Sequence, residues 1–302
     1  VEASGLTWHV QRMGEGPTCL QLHGAGGGSH SWRDVAPLLA RYLDVIVLDL
    51  PGHGFTDPLP SRRLSLPGMA ESIGDLLDSL QAAPSVVVGH SAGAAVAARL
   101  CLDGRARPRV VVSFNGALRA FRGLAQQFYA PLAKLLVINP FVPRFVAHGA
   151  VSRGTVERLI RQIGSTIDAC GLDLYARLLG NPGHVAGTLG MMAGWNLPAL
   201  ERDLPRLATK LVLVACSDDG AVPATDAFAV QEVVPDAEVV FLRHLGHLMH
   251  EEKPVMAAEI VFKAAGDLHV ANAGDPLQGR HDLVGGDVSQ FGERGGVGAH
   301  RR

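Results

Sequence analysis

Val86-Val87-Val88-Gly89-His90-Ser91-Ala92-Gly93-Ala94-Ala95 is the stretch on which the reading of the fold turns. Three consecutive valines predict the end of a strand buried on both faces. The small residues from Ala94 to Leu100 suit a helix packed close against its neighbours. Between them lies Gly-x-Ser-x-Gly, which in a strand-to-helix context marks a nucleophile elbow. A serine on so sharp a turn is held in a strained backbone conformation. Gly89 and Gly93 leave out the Cβ atoms that would collide where strand and helix nearly touch. Ser91 is therefore the candidate nucleophile, and the free N–H of Ala92 at the helix start is a candidate oxyanion donor.

Composition sets the outer limits. With 302 residues, 47% of them hydrophobic, the chain can bury one large core, or a core and a lid. The net charge is −2 and no basic block precedes Arg301-Arg302, which argues against nucleic acid as a partner. Cys19, Cys101, Cys170 and Cys216 are scattered without a Cys-x-x-Cys pair, fitting a reducing cytosol rather than a disulfide framework or zinc ribbon. No signal-peptide pattern opens the chain and no apolar run reaches the length of a membrane span.

Upstream of the elbow, Leu6 to Met13 reads as an edge strand and Thr18 to Leu22 as a second strand. The second runs into His23-Gly24-Ala25-Gly26-Gly27-Gly28. With Asp44 and Asp49 downstream, this loop invites a dinucleotide reading, but the spacing fails. The third glycine of the fingerprint falls on Ser29 or Ser31, depending on the starting glycine. The loop fits better as the second half of an oxyanion hole, with the N–H of Ala25 beside that of Ala92. Ser31 to Tyr42 is expected as one helix with Trp32 in the core, Val45 to Leu48 as a strand, and Leu66 to Leu80 as an amphipathic helix. Asp49 and His53 sit in a Pro/Gly-rich corner and are assigned to the turn rather than to chemistry.

Downstream, Arg109 to Phe114 is a buried strand ending in Asn115-Gly116. Strands alternating with helices imply a mostly parallel α/β sheet. From about Ala117 to Leu207 no buried strand is apparent. Gln126–Val137, Val156–Ile167, Leu172–Leu179 and Val185–Trp195 are expected as helices of a lid, with a greasy pocket over Ser91 for a small apolar substrate. The domain plan is thus a core of 1–116 and 208–268, a helical lid of 117–207, and a disordered tail of 269–302. The sheet resumes at Lys210–Ala215, followed by a helix over Thr225–Val233, a strand over Glu238–Leu242 and a last helix from Pro254.

A serine hydroxyl needs a base, and the base needs an orienting acid. Asp219, after one late strand, and His247, after the next, stand in the order Ser, Asp, His. Asp218 and His250 are their rivals. No acid follows Phe114, where Asn115 sits, so the acid is expected from the later loop. His247 and His250 offer only two ligands, so no metal is expected, and no cofactor either. Glu251-Glu252 reads as a helix start.

His23-Gly24, Asp49-Leu-Pro-Gly-His-Gly54, Gly89-His-Ser-Ala-Gly93, Asp219-Gly-Ala-Val-Pro223 and Gly246-His247 together resemble the α/β-hydrolase superfamily. The resemblance covers the chain to about residue 266 and implies a mostly parallel sheet flanked by helices, with a helical lid insertion. Serine at the elbow argues against the epoxide-hydrolase and haloalkane-dehalogenase branches, which use aspartate there. Narrower segments are His30-Ser-Trp-Arg-Asp34, Ser65-Leu-Pro-Gly-Met69, Asn115-Gly-Ala-Leu118, Asn139-Pro-Phe-Val-Pro143 and Gly190-Met-Met-Ala-Gly-Trp195. These resemble the magnesium-chelatase accessory proteins of bacteriochlorophyll biosynthesis in phototrophic bacteria. That resemblance implies a cytoplasmic protein associated with magnesium insertion into protoporphyrin, with a tetrapyrrole intermediate as possible substrate and the chelatase as possible contact. It leaves open whether the protein is a serine hydrolase, a porphyrin-binding accessory with a vestigial triad, or a general carboxylesterase.

Overall fold

The computed structural model describes residues 1–60, 63–120 and 152–266. Its centre is a seven-stranded sheet in the order β3-β5-β4-β6-β7-β8-β9. The strands are β3 (Val10–Met13), β4 (Thr18–Leu22), β5 (Asp44–Leu48), β6 (Val86–His90), β7 (Val110–Phe114), β8 (Lys210–Cys216) and β9 (Ala237–Leu242). Only β3 runs antiparallel, on β5 at the edge; every other pairing is parallel. Ahead of it, β1 (Glu2–Ala3) and β2 (Leu6–Thr7) form a small antiparallel pair, so the strand expected over Leu6–Met13 is divided.

Side chains that alternate along the strands enter two different cores, which is why the strands read as unbroken apolar runs. Leu20, Leu22, Ile46, Leu48, Val87 and Val111 pack on the side of α2 (Leu66–Ser79) and α3 (Ala92–Leu102). Cys19, Val45, Val47, Val86, Val88 and Val110 face the other layer, with Trp32, α1 (Ala36–Leu39) and the C-terminal helix Pro254–Ala265. The core place expected for Trp32 is thus the one it takes.

The single helix expected over Ser31–Tyr42 is instead a 3-10 turn at Ser29–Trp32 followed by the short α1. Pro37 accounts for the break. It has no N–H to give to the preceding turn and its ring would strike the carbonyl four residues back, whereas in the first turn of a new helix it is tolerated.

Between β7 and β8 the described residues form α4 (Arg153–Gln162), α5 (Ala169–Leu179), α6 (Pro182–Gly194) and α7 (Leu197–Asp203). Side-chain caps start all four: Ser152, Asp168, Asn181 and Asn196 each accept from backbone N–H groups of the first turn. These helices meet loops that follow the carboxyl ends of strands. His184 in α6 bridges the loops after β4 and β5, and the turn after α4 meets those after β8 and β9. After β8 come α8 (Ala224–Gln231), then β9, α9 (Met249–Glu252) and α10 (Pro254–Ala265). The Gln126–Val137 helix, the Asn139–Pro143 segment and the 269–302 tail lie outside the described residues.

Candidate active site

The chain turns back on itself beside β4: β5 joins one edge of β4 and β6 the other. In parallel sheets the crevice at such a switch point, at the carboxyl ends of the strands, is where ligands bind. Ser91 emerges there. Its backbone sits at φ 49° and ψ −114°, outside the regions L-residues prefer. Three hydrogen bonds hold that conformation. Ser91 N donates to Phe114 O at 3.0 Å, and Ser91 O accepts from Ala94 N at 3.1 Å and Ala117 N at 3.0 Å. A Cβ on Gly89 would run into the Ala94 backbone, and one on Gly93 into the carbonyl oxygens of Leu22 and His23. Both glycines are therefore required by close approach of backbone to backbone.

The loop after β4 passes beside the elbow: a Cβ on Gly24 would stand 3.1 Å from Ser91 Cβ. Ala25 is exposed at this point, and Ala92 supplies the first N–H of α3, which no earlier turn can accept. The loop is shaped by imidazoles. His23 Nδ1 meets Gly24 O at 2.8 Å and its Nε2 accepts from Leu50 N at 2.9 Å. His184, from α6, accepts from Gly54 N at 3.1 Å and donates to Gly26 O at 3.2 Å. His53 packs between them, 5.2 Å from each ring. Burial lowers the pKa of His23 to about 3 and pushes those of His53 and His184 down as well, so this stack is neutral.

On the far side, His247 Nδ1 and Asp219 Oδ2 are 2.8 Å apart, with the carboxylate wholly buried. The other oxygen, Asp219 Oδ1, accepts from Ala221 N at 2.7 Å and Val222 N at 2.9 Å, which fixes the carboxylate plane. Asp218 is exposed and accepts from the Ser217 hydroxyl. Asp49 accepts from Ser29 N at 2.6 Å and Phe55 N at 3.0 Å, in the turn role expected of it.

The structure therefore brings Asp219 to His247, and His247 beside the elbow, where its ring lies 4.7 Å from that of His90. Ser91 Oγ makes no hydrogen bond to His247 among the described residues. Such contacts are commonly long in the absence of substrate.

Two supports of His247 are not evident from sequence. Asn115 Nδ2 donates to Gly246 O at 3.0 Å and His247 O at 2.9 Å, while its Oδ1 accepts from Cys216 N at 3.1 Å. It ties the end of β8 to the base loop, and it does so from φ 47°. His90 Nε2 donates to His247 O at 3.0 Å. Sequence holds a signal for Asn115, a polar Asn-Gly closing a buried strand, but nothing in it points to the Gly246-His247 loop. His250 packs between Trp32 and His90, at 4.5 and 4.4 Å, and burial lowers its pKa to about 3. Among the described residues no group of three or more His, Cys, Asp or Glu is placed to hold a metal ion.

Residues 22–260 match the sequence profile described as Alpha/beta hydrolase family. The chain is 40% identical over 250 residues to the magnesium-chelatase 30 kDa subunit of Rhodobacter capsulatus, covering 82% of this chain and 86% of that one. Among solved structures, the epoxide hydrolase CorEH without ligand superposes with a TM-score of 0.73 at 21% identity, over 87% of this chain and 95% of that one. An esterase from Exiguobacterium antarcticum gives 0.71 at 14% identity, over 86% and 96%. At these identities the two structures speak for the fold.

Proposed function

This chain belongs to the alpha/beta hydrolase family, and from that premise we propose a serine hydrolase in which Ser91 is the nucleophile, His247 the base and Asp219 its orienting acid. The observation that carries the reading is the 2.8 Å bond between His247 Nδ1 and buried Asp219 Oδ2, made beside a strained serine elbow. With Nδ1 carrying a proton for the carboxylate, Nε2 is left free to accept one.

In the first half-reaction Ser91 Oγ attacks a carbonyl carbon while His247 Nε2 takes the hydroxyl proton. The carbonyl oxygen becomes an oxyanion, held by the N–H groups of Ala25 and Ala92. Collapse expels the alcohol, which receives the proton from His247 and leaves Ser91 acylated. Water then attacks the acyl carbon with His247 again as base, and the acid departs as Ser91 regains its proton.

For the substrate, the 40% identity to a protein named as a magnesium-chelatase subunit favours a small apolar acyl compound at or near a tetrapyrrole intermediate, in the cytoplasm, with the chelatase as a possible contact. No helix among the described residues is long and apolar enough to cross a membrane. A second reading, a porphyrin-binding accessory whose triad no longer turns over, draws on the same relative's name, a subunit of the magnesium chelatase. A fluorophosphonate probe decides between them. The hydrolase reading expects the probe's mass on Ser91 of the wild type and none on Ser91→Ala. An unlabelled wild type that still quenches protoporphyrin fluorescence would favour the accessory. Labelling without porphyrin binding would leave a general carboxylesterase.

A further inference from the structure

The Glu251-Glu252 pair after the base loop lies in the first turn of α9, the helix start expected of it, and also reaches back into the lid. Glu252 Oε1 accepts from Ser165 Oγ at 2.7 Å and from Gly246 N at 3.2 Å. Ser165 Oγ in turn accepts from Leu248 N at 2.8 Å, so the buried hydroxyl and the carboxylate it bonds together take the N–H groups on both flanks of His247. Two residues earlier, the Ile163 carbonyl accepts from His247 N at 3.1 Å and from Gly220 N at 3.3 Å. A single oxygen at the end of α4 thus joins the loop of the acid to the loop of the base.

Packing agrees with the hydrogen bonds. Leu248 leaves the base loop to join Val156, Ile160 and Leu172 in a cluster formed by the lid helices α4 and α5. Between the two loops lies Gly164, at φ 80°, where a Cβ would strike the Asp218 carbonyl oxygen. Gly246 presses on it from the other side, where a Cβ would strike the Gly164 carbonyl. The turn is a wedge with no room for a side chain.

We propose that the turn Ile163-Gly164-Ser165 positions the acid–base pair: the Ile163 carbonyl and the Ser165–Glu252 bond hold His247 against Asp219, making the lid part of the machinery as well as its cover. This rests on the serine-hydrolase reading for its kinetic consequence, though not for its geometric one. Ser165 and Glu252 touch no reacting atom and are positioning residues.

The test reads the His247–Asp219 bond directly, as the low-field Nδ1–H proton resonance, beside hydrolysis of p-nitrophenyl acetate. Ser165→Ala and Glu252→Ala are each expected to broaden or abolish that resonance. They should lower kcat about tenfold or more with KM within about twofold, as small misplacements of a catalytic group do. Glu252→Gln keeps an acceptor oxygen and should retain both signals. Ser152→Ala removes the N-cap of the same helix, at the end away from the wedge. It should lower Tm while leaving resonance and kcat in place. The proposal is overturned if Ser165→Ala and Glu252→Ala leave the resonance unchanged, if Ser152→Ala removes it equally, or if the wild type lacks it. A wild type that hydrolyses nothing, yet loses the resonance only in Ser165→Ala and Glu252→Ala, would sink the hydrolase reading and uphold the clamp.

Discussion

The two halves of the site are built in opposite ways. Ser91 is placed by backbone: the glycines of 86–95 let that stretch lie against the Leu22 and His23 carbonyls, and the N–H and C=O of Ser91 bond Phe114, Ala94 and Ala117. His247 is placed by residues from distant parts of the chain: Asp219, Asn115, His90, Ile163 and Ser165 each bond the base, its loop or the next residue. The first half fails when something is added and the second when something is removed. Mutations of each kind can therefore probe the halves separately.

The largest effect should come from the two side chains proposed to react. Ser91→Ala removes little volume and His247→Ala removes the base, so each should cut the rate of p-nitrophenyl ester hydrolysis by about 10⁴-fold or more. The double variant should be no slower than either alone, because nucleophile and base act as a unit. Additive losses would mean that the halves do not work together, and would end the triad reading.

Acid should weaken both halves through their buried imidazoles. Burial depresses the pKa of His23 to about 3, of His30 to about 4 and of His250 to about 3. In the unfolded chain these rings take up protons near pH 6.5. Between that value and the folded ones the unfolded state binds more protons, so stability falls as pH falls through the window. At pH 5 the loss is on the order of 2 kcal/mol per ring. Urea midpoints measured from pH 7 to 5 should drop steeply. His23→Gln should flatten the slope by removing one ring from the loop beside Ser91, and an unchanged slope would show that His23 is not neutral in the fold.

A smaller effect separates strain from clamping. Gly93→Ala overpacks the elbow against the Leu22 and His23 carbonyls and should destabilise by about 1–3 kcal/mol or prevent folding. Asn115→Ala should instead leave a folded protein with a slower kcat, since it releases the Gly246 and His247 carbonyls without crowding anything. Tm and kcat measured on both variants would expose a reversal of this pattern.

The same contrast explains what could be read from sequence. The elbow, the strands and the order Ser, Asp, His carry local signals: valine runs, glycines at required spacings and loops after buried strands. Thr18–Leu22 falls on its strand to the residue, and the helix expected at Leu66–Leu80 runs Leu66–Ser79. The Asp219–His247 bond was legible because both residues follow late strands. The clamp was not. Ser165 is an ordinary serine in sequence, and its meaning lies in Leu248 N and Glu252, far along the chain. His184 is likewise a histidine in an apolar helix until Gly26 O and Gly54 N are brought to its two nitrogens. Long-range hydrogen bonds to backbone leave no periodicity to find. The helix expected through Ser31–Tyr42 failed for a local reason, Pro37, which sequence could have supplied.

The smallest effect should fall on the neighbour of the acid. Asp218 and Asp219 are adjacent and chemically alike, yet the fold gives only one of them to the base. Asp219 Oδ1 is fixed by two backbone N–H groups while Oδ2 faces His247. Asp218 lies exposed, with its Oδ1 taking the Ser217 hydroxyl, whose oxygen accepts in turn from His244 N at 2.9 Å. The contact of Asp218 with the wedge runs through its carbonyl oxygen at Gly164, which a side-chain change does not touch. Asp218→Asn keeps an oxygen for Ser217 and removes only a solvated charge, so stability should stay within about 0.5 kcal/mol. The hydrolysis rate should stay within about twofold, whereas Asp219→Asn should lose about 10⁴-fold by putting the imidazole in the wrong tautomer. Steady-state kinetics on the two variants decide the assignment. If Asp218→Asn cost more than about tenfold, the base would be answering to two carboxylates rather than one. The clamp at Gly164 would then be sensing charge on the acid loop as well as holding its backbone.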